Sequence, residues 1–246
     1  MLFAMVFGIF WLTALIMACN EFAIISAAVS WYFSDKSLPC DDGIPGEAEV
    51  LSGIWWTYRY QFGTLALGSF LLAIVWTIRA IFEYIGQKVK DVNPGNPVVD
   101  FLISVIRCCL DCFDRFIRYI NRNAYIYSCI NSENFCISAL NSFLLILRNI
   151  SKFGFVECIA TAFIFLAKSF ICVATTVIGY FLIGEMVELP IERLTPCFII
   201  FVFGYIIANT FISPFDISAN TILQCYILDK DVADRFPGRD MKHLPN

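Results

Sequence analysis

Charge and histidine are scarce in this sequence, and each scarcity excludes a class of function. Only 15% of the 246 residues are charged, against about 25% in ordinary soluble domains, whereas 59% are hydrophobic. The single histidine, His243, lies in a polar tail, so the sequence lacks the histidines that a His-based catalytic group or zinc site would need. The sequence also has no glycine-rich phosphate loop and no basic patch with interleaved aromatic residues. We therefore expect no enzyme activity, no metal or other cofactor and no nucleic-acid partner.

Four long apolar runs are what the sequence does have. They lie at 1–33, 60–85, 153–184 and 195–215, and the last run has no charged residue. A helix of about 20 apolar residues crosses the hydrocarbon core of a bilayer, so each run is long enough. The predicted fold class is an all-α polytopic membrane protein with about four transmembrane helices. Membrane lipids are then its first expected partner.

The distribution of charge predicts the orientation of these spans. The segment 86–152 carries eight Lys or Arg residues, whereas the loops 34–58 and 185–194 are mainly acidic. Basic loops stay on the cytoplasmic side of a membrane. The prediction is therefore two extracellular loops, a cytoplasmic segment 86–152 and a cytoplasmic tail 216–246, with both chain ends inside.

The first half of the cytoplasmic segment predicts an amphipathic helix. It follows the turn cluster Asn93–Pro97 and has arginines on its other face, which is typical of a helix at the membrane surface. Cysteines beside basic residues at a membrane also suit S-palmitoylation, and a plain packed helix is the alternative. The apolar residues at helical spacing are Phe101, Val105, Cys108, Cys109, Cys112, Phe113, Phe116 and Ile120.

The second half, 123–147, is apolar but interrupted. Asn131, Glu133 and Asn134 divide it into two stretches, each too short to cross a bilayer. This pattern predicts a broken or re-entrant pair of short helices that meet near 131–134 and are buried in protein. The alternative is a full span, which would reverse the orientation of everything that follows.

Several motifs in the same order resemble the choline transporter-like family over nearly the whole chain. The most distinctive lies in the interrupted segment and its surroundings. The matching stretches are Asn121–Ile126, Asn134–Cys136 with Ser138, Ala139 and Asn141, Leu147–Asn149, Arg59–Tyr60, Gly63–Ser69, Ile78–Tyr84, Ala167–Lys168 and Ala219–Cys225 with Asp229.

The resemblance implies an architecture and a function. Members of the family have about ten spans, so this chain would correspond to the C-terminal four, and it would associate with the missing N-terminal spans or another membrane chain. The implied function is carrier transport of choline or ethanolamine without sodium coupling, at the plasma membrane or, as the alternative, in an organelle such as the mitochondrion. The alternative function is a non-transporting interaction or regulatory fragment that pairs with a complete partner.

Choline is a permanent cation whose nitrogen carries methyl groups, so hydrogen bonds cannot hold that nitrogen. Aromatic faces can, through cation–π attraction. The predicted substrate-binding aromatic residues are Trp31, Tyr32, Tyr60 and Trp76. Anchoring at the membrane interface is the alternative role for such residues.

Glu21 and Lys168 are the remaining predicted substrate-site residues. An ionisable group within an apolar span is costly and marks a functional site by default. We expect Lys168 to pair with a carboxylate, with Glu21 preferred over Glu157; a Lys168 side chain that extends to the interface is the alternative. Glu21 stands where the family would have a neutral glutamine.

Overall fold

The computed structural model describes residues 1–34, 50–92, 97–184 and 194–235. Within these ranges the chain forms helices and no strand. One π-helical turn, Thr57–Gln61, which we call the π turn, joins the second and third helices. The helices are α1 (Leu2–Phe33), α2 (Val50–Trp56), α3 (Phe62–Val92), α4 (Pro97–Asn131), α5 (Phe135–Arg148), α6 (Ile150–Gly184) and α7 (Leu194–Arg235).

Four helical stretches are long and apolar enough to cross a membrane. They are Phe3–Phe33, Gly53–Val92, Phe153–Gly184 and Thr195–Ala233. The described part of the chain therefore confirms the predicted fold class, an all-α polytopic membrane protein.

The chain divides into two compact units. The first contains Met1–Arg148 and the end of α7 from Leu228, and the second contains Asn149–Ile227. In the second unit, glycines let α6 and α7 approach closely: a Cβ added to Gly179 would lie 2.8 Å from Ile200 Cδ1. Small residues at such contacts are typical of helix packing in membranes.

In the first unit, α4 runs antiparallel to α3 along almost its whole length. Three ion pairs and one hydrogen bond join the two helices at successive levels. The pairs are Lys90–Asp100 at 2.8 Å, Glu83–Arg107 at 2.6 Å and Arg79–Asp111 at 2.8 Å, and Trp76 Nε1 donates to Asp114 Oδ1 over 3.0 Å. The amphipathic helix thus stands beside a span, whereas the sequence predicted that it lies along the membrane surface.

The core of the first unit forms where α1, α3, α4 and α5 meet. Phe22, Ile25, Leu65, Tyr125 and Ile126 are all almost fully buried there. Edge-to-face ring contacts add to the packing of α1 on α3, including Phe7 on Phe70 with centroids 5.6 Å apart.

Gly68 shows how close the packing is. A Cβ at this position would overlap the Tyr125 hydroxyl and lie 2.9 Å from Phe135 Cε2, so a larger residue does not fit here. Asn121 Nδ2 donates to the Gly68 carbonyl over 2.9 Å, which further fixes α4 against α3.

The break in the interrupted segment lies where the sequence predicted it, between Asn131 and Phe135. The helix before it differs from expectation, because the amphipathic stretch and 123–131 form one 35-residue helix, α4. Contacts with α3 along the whole of α4 account for this continuity.

Two other boundaries also differ from the sequence-based ones. Helix α2 begins at Val50, inside the stretch predicted as the extracellular loop 34–58, and the rest of that loop lies outside the described residues. Helix α7 continues past the predicted end of its span at 215, through Pro214, to Arg235.

Candidate functional site

The π turn and the α4–α5 break lie side by side, although about 70 residues separate them in sequence. Ser128 Oγ lies 2.9 Å from both Gln61 Oε1 and the Glu133 backbone oxygen. Gln61 Nε2 donates to the Ser128 carbonyl over 3.5 Å. Since Gln61 ends the π turn and Glu133 lies in the break, these bonds fix the two irregular backbone segments to each other.

The break is held in place by its own polar groups. Ser132 adopts the left-handed conformation, with φ at 55°, and its N–H donates to the Ser128 carbonyl over 2.8 Å, which ends α4. Ser138 Oγ donates to the Glu133 carbonyl over 3.4 Å, and Asn141 Nδ2 donates to Glu133 Oε2 over 3.0 Å. The Glu133 carboxylate is therefore positioned by a neutral partner, which leaves its charge uncompensated by that contact.

The π turn presents two aromatic side chains outward. Trp56, which precedes the turn, and Tyr60 are 58% and 64% exposed, and their ring centroids lie 5.0 Å apart. The Arg59 guanidinium lies 5.9 Å from the Tyr60 centroid, so this ring already has a cation near it. π-Helical turns are rare and occur frequently at functional sites.

The electrostatics at the break favour a cation. Helix α4 ends there at Asn131, and the last carbonyl groups of a helix carry a partial negative charge of about half an elementary charge. The Glu133 carboxylate adds a full negative charge. Through Ser128, the break is hydrogen-bonded to Gln61 of the π turn, which carries the exposed Tyr60 ring.

Next to this site, an ion pair joins α1 to α4. Arg122 Nε donates to Glu21 Oε1 over 2.6 Å, and both side chains are less than one third exposed. Glu21 is therefore part of the support of the site, with its charge neutralised by Arg122.

The other predicted substrate-site residues lie elsewhere. Tyr32 donates to Asp229 Oδ2 over 3.5 Å, and Trp31 is exposed near the end of α1. Trp76 lies next to Asp114, and the Arg118 guanidinium is 5.2 Å from its ring centroid, so an internal cation occupies that ring face.

Lys168 lies in the second unit and donates to Asn209 Oδ1 over 2.8 Å. Glu21, in the first unit, accepts a hydrogen bond from Arg122, and the Lys168–Glu21 pair expected from the sequence stays a prediction. A neutral amide is the partner that the structure shows for this mid-span lysine.

The sequence analysis predicted Tyr60 as a site residue, but it did not predict Gln61, Ser128 and Asn141. It interpreted Glu133 only as an interruption of an apolar run. A charged residue within such a run is itself a functional signal, and that signal could have identified Glu133. No sequence pattern marks the π turn, because its backbone irregularity depends on the packing of the surrounding helices.

Comparison with known proteins identifies the family of the chain. Residues 1–231 match the sequence model of a family described as plasma-membrane choline transporter. The chain belongs to this family. The resemblance found in the sequence motifs is thereby confirmed, and the protein is a multi-pass membrane protein of a transporter family.

The choline transporter-like relatives are similar at roughly the same level along nearly the whole chain. Choline transporter-like protein 2 of Bos taurus is 31% identical over 241 residues, covering 95% of this chain and 33% of its own length. Choline transporter-like protein 5-A of Danio rerio is 32% identical over 231 residues, covering 91% of this chain and 32% of its own length. Choline transporter-like protein 1 of Rattus norvegicus is 28% identical over 237 residues, covering 96% of this chain and 35% of its own length. The chain spans about a third of the length of these relatives.

Proposed function

We propose that this chain takes part in carrying choline or a related amine, such as ethanolamine, across the plasma membrane, as one portion of a longer carrier or together with another membrane chain. The observation that carries the proposal is the pair of exposed rings, Trp56 and Tyr60, at the π turn, whose Gln61 is hydrogen-bonded through Ser128 to the break that contains Glu133. Membership of the choline transporter family supports the choice of substrate.

The physical basis is the recognition of a quaternary ammonium group. Each aromatic face contributes about 0.5–2 kcal/mol to holding such a cation, depending on how fully water is removed. A carboxylate and helix-end carbonyl groups nearby add charge complementarity without needing an N–H donor on the ligand. The Arg59 guanidinium near Tyr60 occupies the position of a cation and would move aside when substrate binds.

The backbone at the site also suits a carrier. Substrate and ion sites in secondary transporters are typically formed by discontinuous helices, whose ends and unwound backbone coordinate the ligand. The α4–α5 break and the π turn are two such irregularities, and hydrogen bonds couple them. A change in one segment is thereby transmitted to the other.

A second candidate function is a non-transporting membrane component that pairs with a complete carrier. The observation that favours it is coverage: the chain aligns with about a third of each relative. Such a component would form a stable complex with a complete carrier and would show no choline uptake of its own.

Uptake of radiolabelled choline into cells expressing the chain tests the proposal. We expect uptake above that of vector-only cells, reduced at least threefold by Tyr60→Ala. Tyr84→Ala is the matched control, because Tyr84 is also 64% exposed but lies near the opposite end of α3, and it should leave uptake unchanged.

Surface biotinylation in the same cells separates the plasma membrane from the mitochondrial alternative. If the chain adds no uptake at the cell surface and co-purifies with a complete family member, the second candidate function is correct. Equal loss of uptake in Tyr60→Ala and Tyr84→Ala would show that the rings act as interface anchors.

A further inference from the structure

One face of α4 carries an apolar stripe that packs against no described helix. We call it the α4 stripe. Its members recur at intervals of three and four residues, and its five apolar side chains are 42–71% exposed. The α4 stripe consists of Phe101, Leu102, Val105, Cys108, Cys109, Cys112, Phe113 and Phe116, and its three thiols are free and exposed.

The opposite face of α4 explains why the stripe points outward. That face makes the ion pairs of Asp100, Arg107 and Asp111 with α3, and it places the buried Ile103 against Gly86. A helix on a water-soluble protein packs its apolar face inward and leaves its charges in solvent. Helix α4 instead leaves its apolar stripe exposed while Asp100, Arg107 and Asp111 pair with α3, and we infer from this that the medium around the stripe is apolar.

The ion pairs also fix the level of the thiols along α3. Glu83 lies near the end of the apolar run 60–85 and pairs with Arg107, while Arg79 one turn earlier pairs with Asp111. Cys108, Cys109 and Cys112 therefore lie beside the end of the apolar run of a span. In the orientation that the charge bias predicts, this end faces the cytoplasm.

We propose that lipid covers the α4 stripe and that Cys109 and Cys112 are S-acylated with long-chain fatty acids, with Cys108 as a slower third site. The donor is a long-chain acyl-CoA, presented by a membrane-bound acyltransferase. The cysteine sulfur attacks the thioester carbonyl, the new C–S bond forms as the bond to CoA breaks, and the thiol proton ends on the released CoA. No oxidant or reductant is needed.

The positions of the thiols suit this chemistry. An exposed cysteine at the membrane boundary lies within reach of an enzyme that works at that boundary, and the attached chain can enter the bilayer beside Phe113 and Phe116. At helical spacing, Cys109 and Cys112 lie nearer the middle of the α4 stripe than Cys108, which lies at its edge and is therefore the slower third site.

Acyl exchange on the chain expressed in cells tests this inference. Free thiols are blocked, thioesters are cleaved with hydroxylamine, and the released thiols receive a polyethylene glycol mass tag. We expect two hydroxylamine-dependent tags per chain, reduced to less than a tenth in Cys108→Ser/Cys109→Ser/Cys112→Ser. The matched control is Cys136→Ser/Cys158→Ser, which removes two other exposed thiols and should keep both tags.

Two results would overturn the proposal: no hydroxylamine-dependent tag on the unaltered chain, or more than half of the tagging retained in the triple variant. If the triple variant fails to reach the membrane, the single variants Cys109→Ser and Cys112→Ser decide, because each must lose one tag. Cys108→Ser should change tagging least. This readout does not depend on transport, so it tests the acylation independently of the proposed function.

Discussion

At the scale of single residues, the ion pair between Glu21 and Arg122 shows how a charge is kept within this chain. Each is costly alone in an apolar setting, and together at 2.6 Å they neutralise each other while joining α1 to α4. The sequence alone identified Glu21 as a costly charge. It could not identify the partner, because Arg122 is 101 residues away and one of several arginines in its segment.

We predict that Arg122→Ala lowers the melting temperature of the purified chain in detergent, because the Glu21 carboxylate loses its partner. The double variant Glu21→Ala/Arg122→Ala should lose less unfolding free energy than the two single variants lose together. The difference, which is the coupling energy of the pair, should be about 1–3 kcal/mol. Additive losses in this double-mutant cycle would mean that the contact contributes nothing to the fold.

A second prediction at this scale concerns the close approach at Gly68. Gly68→Ala should destabilise the chain by about 1–3 kcal/mol, because the added methyl group overlaps the Tyr125 hydroxyl. The control is Gly63→Ala in the same helix, since a Cβ there meets nothing within 4 Å. The measurement is the melting temperature of each variant. Equal melting temperatures would contradict the close packing of Gly68 against Tyr125.

At the scale of elements, some features follow from sequence and others do not. Asn131, Glu133 and Asn134 interrupt an apolar run, so local polarity was sufficient to place the break. The continuity of α4 was not predictable in the same way, because ion pairs such as Glu83–Arg107 come from another helix. The sequence predicted an amphipathic helix here but did not predict that its charged residues pair with α3.

The break itself provides a prediction, because Ser132 holds a left-handed conformation at φ 55°. Ser132→Gly should stabilise the chain by about 0.5–1 kcal/mol, since glycine adopts this conformation without steric cost. Ser132→Val should destabilise it. The control is Ser104→Gly, an exposed position in the N-terminal third of α4, where glycine should cost about 0.5 kcal/mol. If Ser132→Gly and Ser104→Gly changed the melting temperature equally, the left-handed conformation of Ser132 would be contradicted.

At the scale of the whole molecule, composition was a reliable guide to the class of protein. Low charge and four apolar runs predicted an all-α membrane protein, and four helices of sufficient length are observed. The motifs around Asn121–Ile126 led to the choline transporter family. Of the residues that the sequence predicted to bind substrate, Tyr60 lies at the proposed site; contacts such as Gln61–Ser128 were not predictable, because they join segments far apart in sequence.

The charge bias gives a prediction at this scale as well. An epitope tag inserted in the acidic loop 34–58 should be accessible to antibody on intact cells, and a tag at the C-terminus only after permeabilisation. Glycosylation at Asn149, within the sequon Asn149–Ser151, would place 86–152 outside and refute the orientation.

Equilibrium binding of radiolabelled choline to the purified chain in lipid nanodiscs tests the central claim most directly. The account predicts saturable binding that excess unlabelled choline displaces, weakened at least about fivefold by Tyr60→Ala and by Glu133→Gln. Tyr84→Ala should bind as the unaltered chain does. Saturable binding that neither Tyr60→Ala nor Glu133→Gln weakens, or no saturable binding to the folded chain, would contradict the claim that the π turn and the α4–α5 break form a choline site.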